Sequence, residues 1–417
     1  MQTNFIAPIQ DLKSIVENDL SLKMNADRMF IEALQTKKET PIGSPSIKNF
    51  DEFLEVLNDI MTQAPEYCDE FNPMLGAFEP CGLVGFPINS ILNWPMATEA
   101  GYDFFSNALI NQQFKIILEY WAKYLSSEDS KKVLVEDHLD RKPRVLGWLN
   151  PDAQKEMIKV ACQATDDESL LEKPFEYFFN ANPEDKYYGY KSWDDFFTRT
   201  FVEGRRPIAS TDNEIANACE SAPLQLKTNV AKNAAFWLKE QEYSLETMMN
   251  FNPLHKEFIG GTVYQAFLSA LSYHRWNSPV SGTVKEAYIV NGSYYLGNKH
   301  NENINRRADE SAPNKSQPFL TSIATRAVIF IESDNPKIGL MCFIAVGMAE
   351  VSSCEITVKE GQHLEKGDEL GMFHFGGSTH CLIFRPEVKL EFDFHNTKPG
   401  LDATNIPVCS RIATVLD

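Results

Sequence analysis

The chain has 417 residues, of which 43% are hydrophobic and 23% are charged, values that exclude a wholly disordered protein. It carries 39 Lys and Arg against 58 Asp and Glu, which gives a net charge of −19. A chain this acidic is a poor partner for nucleic acid or for an anionic membrane surface. The length predicts two or three domains.

The start of the chain and its cysteines predict a location in the cytoplasm. The N-terminal residues lack the basic start and apolar core of a secretory signal, and no run of about 18 apolar residues predicts a membrane span. The eight cysteines are scattered and form no CxxC pair. We therefore expect reduced thiols rather than a disulfide framework.

The first half of the chain has the hydrophobic spacing of helices. Apolar residues recur at helical intervals over Asp51–Met61, Phe104–Leu125 and Pro151–Ala164. The glycines and prolines of the segment 83–105 predict a structured but non-helical insert. A junction is expected within the polar and aromatic segment 166–190.

The second half changes to β-branched runs with a period of two, separated by turns that contain glycine. These runs predict strands over residues 282–290, 326–332, 340–346 and 354–359. The predicted fold class is therefore α+β. A helical N-terminal accessory domain, residues 1–185, precedes a mainly β domain, residues 186–417.

A Gly-Gly-Ser-Thr turn in the segment 361–386 lies between two apolar runs. Two glycines before Ser378 allow unusual backbone conformations and leave the Gly377 carbonyl sterically open. The Ser378 hydroxyl can attack that carbonyl, and elimination from the resulting ester would release the upstream chain and leave a pyruvoyl group. A plain β-turn is the alternative interpretation.

Three further segments carry candidate site residues. His274 lies in YHRWNSPVSG before a turn, Glu220 lies among small residues in ANACESAP, and aromatic residues fill WDDFFTRTFVEGRRP. Taken singly, each has an ordinary interpretation: a structural histidine, a solvated surface charge and core aromatic side chains.

Together and in this order, the four segments resemble the phosphatidylserine decarboxylase family of pyruvoyl-dependent decarboxylases. The resemblance covers residues 191–417. LVGFPINSILNWPMATEAGYDFF, which starts at Leu83, extends it to the accessory domain of a soluble branch that includes fungal L-tryptophan decarboxylases. Nearly the whole chain is therefore similar to this family.

The resemblance implies catalytic roles for four residues. Ser378 would be the pyruvoyl precursor, and cleavage would fall between Gly377 and Ser378. His274 matches the first histidine of the family motif YHRxH, and Glu220 stands where the family usually has Asp. Asn277 replaces the second histidine of that motif, so His274, oriented by Glu220, is expected to act as the base.

The activity implied by the resemblance is amino-acid decarboxylation without pyridoxal phosphate. The pyruvoyl carbonyl would form a Schiff base with the substrate amine and accept electrons as CO₂ leaves. The two products of self-cleavage, residues 1–377 and 378–417, are expected to remain together as a heterodimer. His274 would return a proton to the substrate.

A soluble aromatic amino acid, with tryptophan first, is the expected substrate, because the charge of −19 disfavours a membrane surface. Phosphatidylserine, with phosphatidylethanolamine as product, is the alternative. Asn277, Thr379 and the loop with Tyr294 and Tyr295 are candidates for the pocket, although that loop is equally consistent with an exposed hairpin turn.

Three other functions compete with this interpretation. The run VKEGQHLEKGDELG resembles half of a biotinyl or lipoyl carrier domain, but no second half with a displayed lysine follows. His374, His380 and His395 could bind a metal, but their spacing matches no zinc pattern, and we expect none. The loss of the second motif histidine is also compatible with a non-cleaving pseudoenzyme scaffold.

Overall fold

The structure is a computed structural model that describes residues 4–36, 38–42, 46–165, 167–232, 243–296, 316–351, 353–375 and 378–417. These residues form two compact units that alternate along the chain. The first comprises the described parts of Met1–Gln154, Asn182–Phe196 and Ser293–Ser316, and the second comprises the described remainder. The boundary at residue 185 stays a prediction about the domains.

Eleven α-helices lie within the described residues, and most of the longer ones precede residue 164. They are α1 (Ala7–Glu17), α2 (Leu20–Thr36), α3 (Phe50–Ile60), α4 (Pro87–Met96), α5 (Glu99–Phe105), α6 (Ala108–Leu125), α7 (Pro151–Gln163), α8 (Phe175–Phe178), α9 (Trp193–Phe197), α10 (Leu245–Met248) and α11 (Gln317–Ile323). The three helices predicted from periodicity correspond to α3, α6 and α7. No described helix is both long and apolar enough to cross a membrane.

The segment that starts at Leu83 is helical, so the prediction of a non-helical insert was wrong. Pro87 begins α4, where a missing N–H costs nothing, and Pro95 lies only one residue before its end. The Thr98 side chain accepts a hydrogen bond from the Gly101 amide and caps α5. The prolines and the cap therefore divide the segment into two short helices without preventing helix formation.

The first unit also contains a small antiparallel sheet with the strand order β2-β1-β3. Its strands are β1 (Tyr67–Asn72), β2 (Ala77–Pro80) and β3 (Arg144–Leu146). Arg144 on β3 pairs with the buried carboxylate of Asp69 on β1. This pair joins two strands that are far apart in the sequence.

The second unit is built on a seven-stranded antiparallel sheet with the order β12-β8-β9-β10-β14-β6-β5. Two three-stranded sheets, β11-β13-β7 and β15-β16-β4, accompany it. The strands are β4 (Glu214–Ala216), β5 (Ala222–Lys227), β6 (Thr262–Leu268), β7 (Arg275–Asn277), β8 (Gly282–Val290), β9 (Arg326–Ser333), β10 (Leu340–Gly347), β11 (Ser353–Ile356), β12 (His363–Leu364), β13 (Glu369–His374), β14 (Ser378–Phe384), β15 (Leu390–Phe392) and β16 (Arg411–Val415). The predicted strands over 282–290, 326–332 and 340–346 are confirmed. The strand predicted over 354–359 corresponds to β11, which is shorter than predicted. The predicted α+β fold class is confirmed as well.

The two faces of the large sheet are covered differently. On one face, Cys381, Ile383 and Ile344 pack in a core with residues of α10 and α11. On the other face, Phe343 contacts Trp276 of β7, and Tyr264 contacts Phe392 of β15. This second face is therefore enclosed by the two smaller sheets.

Candidate active site

Ser378 is the first residue of β14, a central strand of the large sheet. It lies opposite Gly347 of β10 and opposite Leu268 of β6, so both neighbouring strands fix its backbone. The residue is 2% exposed, and its hydroxyl has no hydrogen-bond partner among the residues that the structure describes. The sequence therefore places a buried hydroxyl, without a partner among the described residues, at the start of a central strand.

Phe375, the residue that follows β13, has an unusual backbone conformation. Phe375 has a φ of 76°, a left-handed conformation that a bulky residue rarely adopts. Gly376 and the predicted cleavage residue Gly377 lie outside the described residues.

Side chains along β14 point alternately to the two faces of the sheet, so the side chains of Ser378 and Thr379 lie on opposite faces. The Thr379 hydroxyl donates to the Ala266 carbonyl and accepts a hydrogen bond from Gln265, whose own oxygen accepts one from Tyr243. This satisfied network lies on the helix-covered face of the sheet. The structure thus does not bring the Thr379 side chain to the face that carries Ser378, and its role in the pocket stays a prediction.

His274 is fully buried beside the strand that leads into Ser378. Its imidazole stacks on the Phe197 ring at a centroid distance of 4.0 Å. Its carbonyl accepts a hydrogen bond from the Phe373 amide near the end of β13. The pairing of β7 with β13 therefore places His274 opposite the end of β13, just before the turn to β14.

Glu220 is buried, but its carboxylate pairs with Arg206. The Arg206 Nε lies 2.9 Å from Glu220 Oε2, and its Nη2 donates to Oε1. Oε2 also accepts a hydrogen bond from the Val408 amide. The sequence predicted that Glu220 pairs with His274. The structure instead pairs its carboxylate with the buried guanidinium of Arg206, which needs a counter-ion.

Asn277 replaces a motif histidine, and its side chain binds the protein backbone. Its Nδ2 donates to the Gly367 carbonyl at 2.8 Å, and its backbone amide donates to the Ala218 carbonyl. An amide has no useful basicity, so Asn277 holds the turn at Gly367 rather than accepting a proton. Its predicted place in the pocket is untested.

Tyr294 and Tyr295 belong to the first compact unit. The Tyr295 ring packs against Phe105 and Phe114, and the Tyr294 amide donates to the Asn111 side chain. Both tyrosines are buried, which argues against the alternative interpretation of an exposed hairpin turn. Their predicted role in the pocket stays a prediction.

His380 lies on the same face of β14 as Ser378, two residues further along the strand. It is fully buried, and burial lowers its pKa to about 3. Sequence reasoning considered it only as a metal ligand, together with His374 and His395. Those two histidines instead bind Glu355 and the Arg411 carbonyl. Side chains two residues apart on a strand share a face, so a strand that starts at Ser378 could have identified His380 from the sequence.

Comparison with known proteins identifies the family of the chain. A family profile described as phosphatidylserine decarboxylase matches residues 193–403, and a second with that description matches residues 6–157. Decarboxylase iboD of Amanita muscaria is 40% identical over 74% of this chain and 86% of its own length. The L-tryptophan decarboxylase of Psilocybe cubensis is 34% identical over 94% of this chain and 83% of its own.

More distant relatives are named for the lipid substrate. The phosphatidylserine decarboxylase proenzyme 3 of Schizosaccharomyces pombe is 29% identical over 59% of this chain and 24% of its own length. The first profile spans His274 and the strand that carries Ser378 and His380, and the relatives with higher identity cover most of the chain. The chain therefore belongs to the phosphatidylserine decarboxylase family.

Proposed function

We propose that the chain is a self-processing, pyruvoyl-dependent decarboxylase of an aromatic amino acid, with L-tryptophan as the first candidate. The observation that carries the proposal is the buried Ser378 hydroxyl at the start of a central strand, without a partner in the described part of the chain. A serine in a plain surface turn would be solvated. A buried hydroxyl without a partner fits a group that is consumed by reaction.

Ser378 is suited to become the pyruvoyl group. Its Oγ loses a proton to His274 and attacks the Gly377 carbonyl carbon, and the peptide bond to Ser378 nitrogen breaks as that nitrogen gains a proton. Loss of the Ser378 α-proton then expels the Gly377 carboxylate and leaves dehydroalanine. Addition of water to the dehydroalanine and loss of ammonia complete the ketone.

The pyruvoyl group, once formed, supplies an electrophilic carbonyl that binds the substrate amine and accepts electrons as CO₂ leaves. The chain's own residues do the rest. The two smaller sheets exclude water from the Ser378 face, and His274 would hold the proton that the substrate carbon regains. Asn277 cannot perform either task, because an amide has no useful basicity.

The substrate class rests on similarity and on charge. Two relatives named L-tryptophan decarboxylase are 34% identical over 94% and 99% of this chain. The net charge of −19 disfavours binding to an anionic lipid surface. Both considerations favour a small amino acid over phosphatidylserine, and the reduced cysteines are consistent with the proposed cytoplasmic location.

The proposal is tested by release of labelled CO₂ from carboxyl-labelled tryptophan, tyrosine and phenylalanine, and from phosphatidylserine vesicles. We expect the wild-type enzyme to release CO₂ from the free aromatic amino acids, and we expect the Ser378→Ala variant to release none. Release from the vesicles alone would establish the lipid activity instead. A cleaved chain that releases CO₂ from none of these substrates would contradict the proposed function.

The role of His274 is tested separately from that of Ser378. His274→Gln is expected to slow cleavage at Ser378, because the glutamine amide cannot accept the hydroxyl proton. His363→Gln is the matched control, since that histidine is half-exposed and binds Asp334 on a different part of the unit. Cleavage of His274→Gln at the rate of this control would exclude His274 as the base.

A further inference from the structure

The face of the large sheet that carries Ser378 contains a buried aromatic cluster. We define the Ser378-face cluster as Tyr264, Trp276, Phe343, Ser378 and His380. The His380 ring lies 6.0 Å from the rings of both Tyr264 and Phe343, and Phe343 lies 5.7 Å from Trp276. All members except Ser378 are 0% exposed, and Ser378 is 2% exposed.

The polar atoms of this cluster lack hydrogen-bond partners within the described residues. They are the hydroxyls of Tyr264 and Ser378, Nε1 of Trp276 and both ring nitrogens of His380. An unsatisfied buried polar group destabilises a protein by about 1–3 kcal/mol. Such a concentration on one face therefore calls for a functional explanation.

On the opposite face of β6 and β14, the buried polar side chains do have hydrogen-bond partners. There, Tyr243, Gln265 and Thr379 form a continuous chain of hydrogen bonds that ends on the Ala266 carbonyl. The same two strands, β6 and β14, carry both arrangements. Within the described residues of β6 and β14, the buried side-chain polar groups without partners therefore lie on the face that carries Ser378.

The chemistry of the cluster defines the kind of ligand that suits it. Burial holds the pKa of His380 low, so its imidazole stays neutral and keeps one ring nitrogen as an acceptor. Burial also raises the pKa of Tyr264, so that hydroxyl keeps its proton. The surrounding rings offer packing for a flat apolar group, and the neutral imidazole offers an acceptor for an N–H or O–H group on it.

We propose that the Ser378-face cluster is the subsite for the substrate's aromatic ring, and that His380 accepts a hydrogen bond from the ring N–H of an indole. This inference rests on the proposed function and names the residue that selects the ring. It makes His380 a specificity-determining residue in direct contact with the substrate. Removing the donor from the ligand leaves His380 unsatisfied again, which penalises the analogue.

The test compares the binding of two product amines to the cleaved wild-type enzyme by titration calorimetry. The probes are tryptamine and 1-methyltryptamine, which differ in the ring N–H. We expect tryptamine to bind at least about tenfold more tightly, the effect of about one buried hydrogen bond. Equal affinities would overturn the inference, because a site filled only by water or by apolar contacts does not sense the N–H.

Two substitutions of His380 make the comparison specific. His380→Leu removes the acceptor, so the ratio of the two affinities should fall to about one, whereas His380→Gln retains an acceptor and should keep part of the ratio. The control His363→Gln should keep the full ratio. An unchanged ratio in His380→Leu would also overturn the inference.

The proposed function and the inference fail in distinguishable ways. Intact mass is measured first on every sample. A wild-type chain that is never cleaved and binds neither amine contradicts both. A cleaved chain that binds the two amines equally contradicts only the role of His380.

Discussion

At the scale of single residues, the buried pair of Arg206 and Glu220 is a contact that the sequence did not indicate. The two side chains are only 5% and 1% exposed. A sequence with Glu220 among small residues suggested an orienting acid, but the partner of a carboxylate depends on which cation the fold buries beside it. That cation, Arg206, lies fourteen positions earlier in the segment WDDFFTRTFVEGRRP, whose residues gave no indication that it would pair with Glu220.

Glu220→Gln is expected to lower the free energy of unfolding by about 3 kcal/mol, because it leaves the Arg206 guanidinium buried without its counter-ion. Urea denaturation of the uncut Ser378→Ala chain measures the change. Asp417→Asn is the control, since Asp417 pairs with Lys337 in solvent, and no measurable change is expected. Equal stability of Glu220→Gln and the parent chain would contradict this account of Glu220.

The low pKa of His380 predicts a dependence of stability on pH. In the unfolded chain a histidine gains a proton near pH 6.5, whereas folded His380 resists protonation down to about pH 3. The unfolded state therefore binds more protons in this window, and stability falls as the pH falls below 6.5, by up to about 1.4 kcal/mol per pH unit. Above pH 6.5 the effect is absent.

His380→Gln should remove this component. The unfolding free energy of the Ser378→Ala chain and of the same chain with His380→Gln is compared between about pH 7 and about pH 5. The drop should be about 2 kcal/mol smaller in the chain with His380→Gln. Urea denaturation at the two pH values measures it. An identical drop in both chains would show that His380 titrates in the folded state as it does in the unfolded chain.

At the scale of elements, the close approach of β13 to its neighbours is set by Gly371. A Cβ at this position would lie 2.1 Å from the Glu355 carbonyl oxygen and 2.8 Å from the Trp276 ring. Its φ of 155° matches that of Gly400, where a Cβ would meet nothing within 4 Å. Substitutions at the two glycines therefore distinguish the cost of a steric clash at Cβ from the cost of the backbone conformation.

Gly371→Ala is expected to lower the free energy of unfolding by about 2–4 kcal/mol and to slow cleavage, because β13 ends close in sequence to Ser378. Gly400→Ala should lower it by only about 1 kcal/mol, through backbone strain alone. Thermal or urea denaturation and the rate of appearance of the small chain measure both effects. Similar losses in the two variants would contradict the role of close packing at Gly371.

The strands of the second unit were more predictable than the helices of the first. Runs such as residues 326–332 and 340–346 are apolar and β-branched, and they became the buried central strands β9 and β10. The helices α4 and α5 were missed because the prolines were read as breakers, although a proline in a first turn permits a helix. Local residue types therefore indicated the sheet better than the short helices.

The candidate site was predictable only where its residues are adjacent in the sequence. The Gly-Gly-Ser-Thr motif suggested Ser378 as a candidate, and the resemblance suggested His274. The register of β14 against β6 and β10 decided which face each side chain occupies, so it separated Thr379 from Ser378 and joined His380 to Ser378. Register depends on contacts between distant segments, which a single sequence does not reveal.

At the scale of the whole molecule, the position of β14 predicts that cleavage leaves the two chains associated. β14 pairs with β10 on one side and with β6 on the other, and both partners belong to the large chain. Size-exclusion chromatography without denaturant should therefore give co-elution of residues 1–377 and 378–417. A small chain that separates under native conditions would contradict this arrangement.

The central claim is that the peptide bond before Ser378 breaks by itself and converts this residue into a ketone. Intact mass of the purified protein under denaturing conditions tests it most directly. The account predicts two chains, residues 1–377 and residues 378–417, with a pyruvoyl group blocking the N-terminus of the smaller one, and a single uncut chain for Ser378→Ala. A wild-type sample that contains only the full-length chain would contradict it.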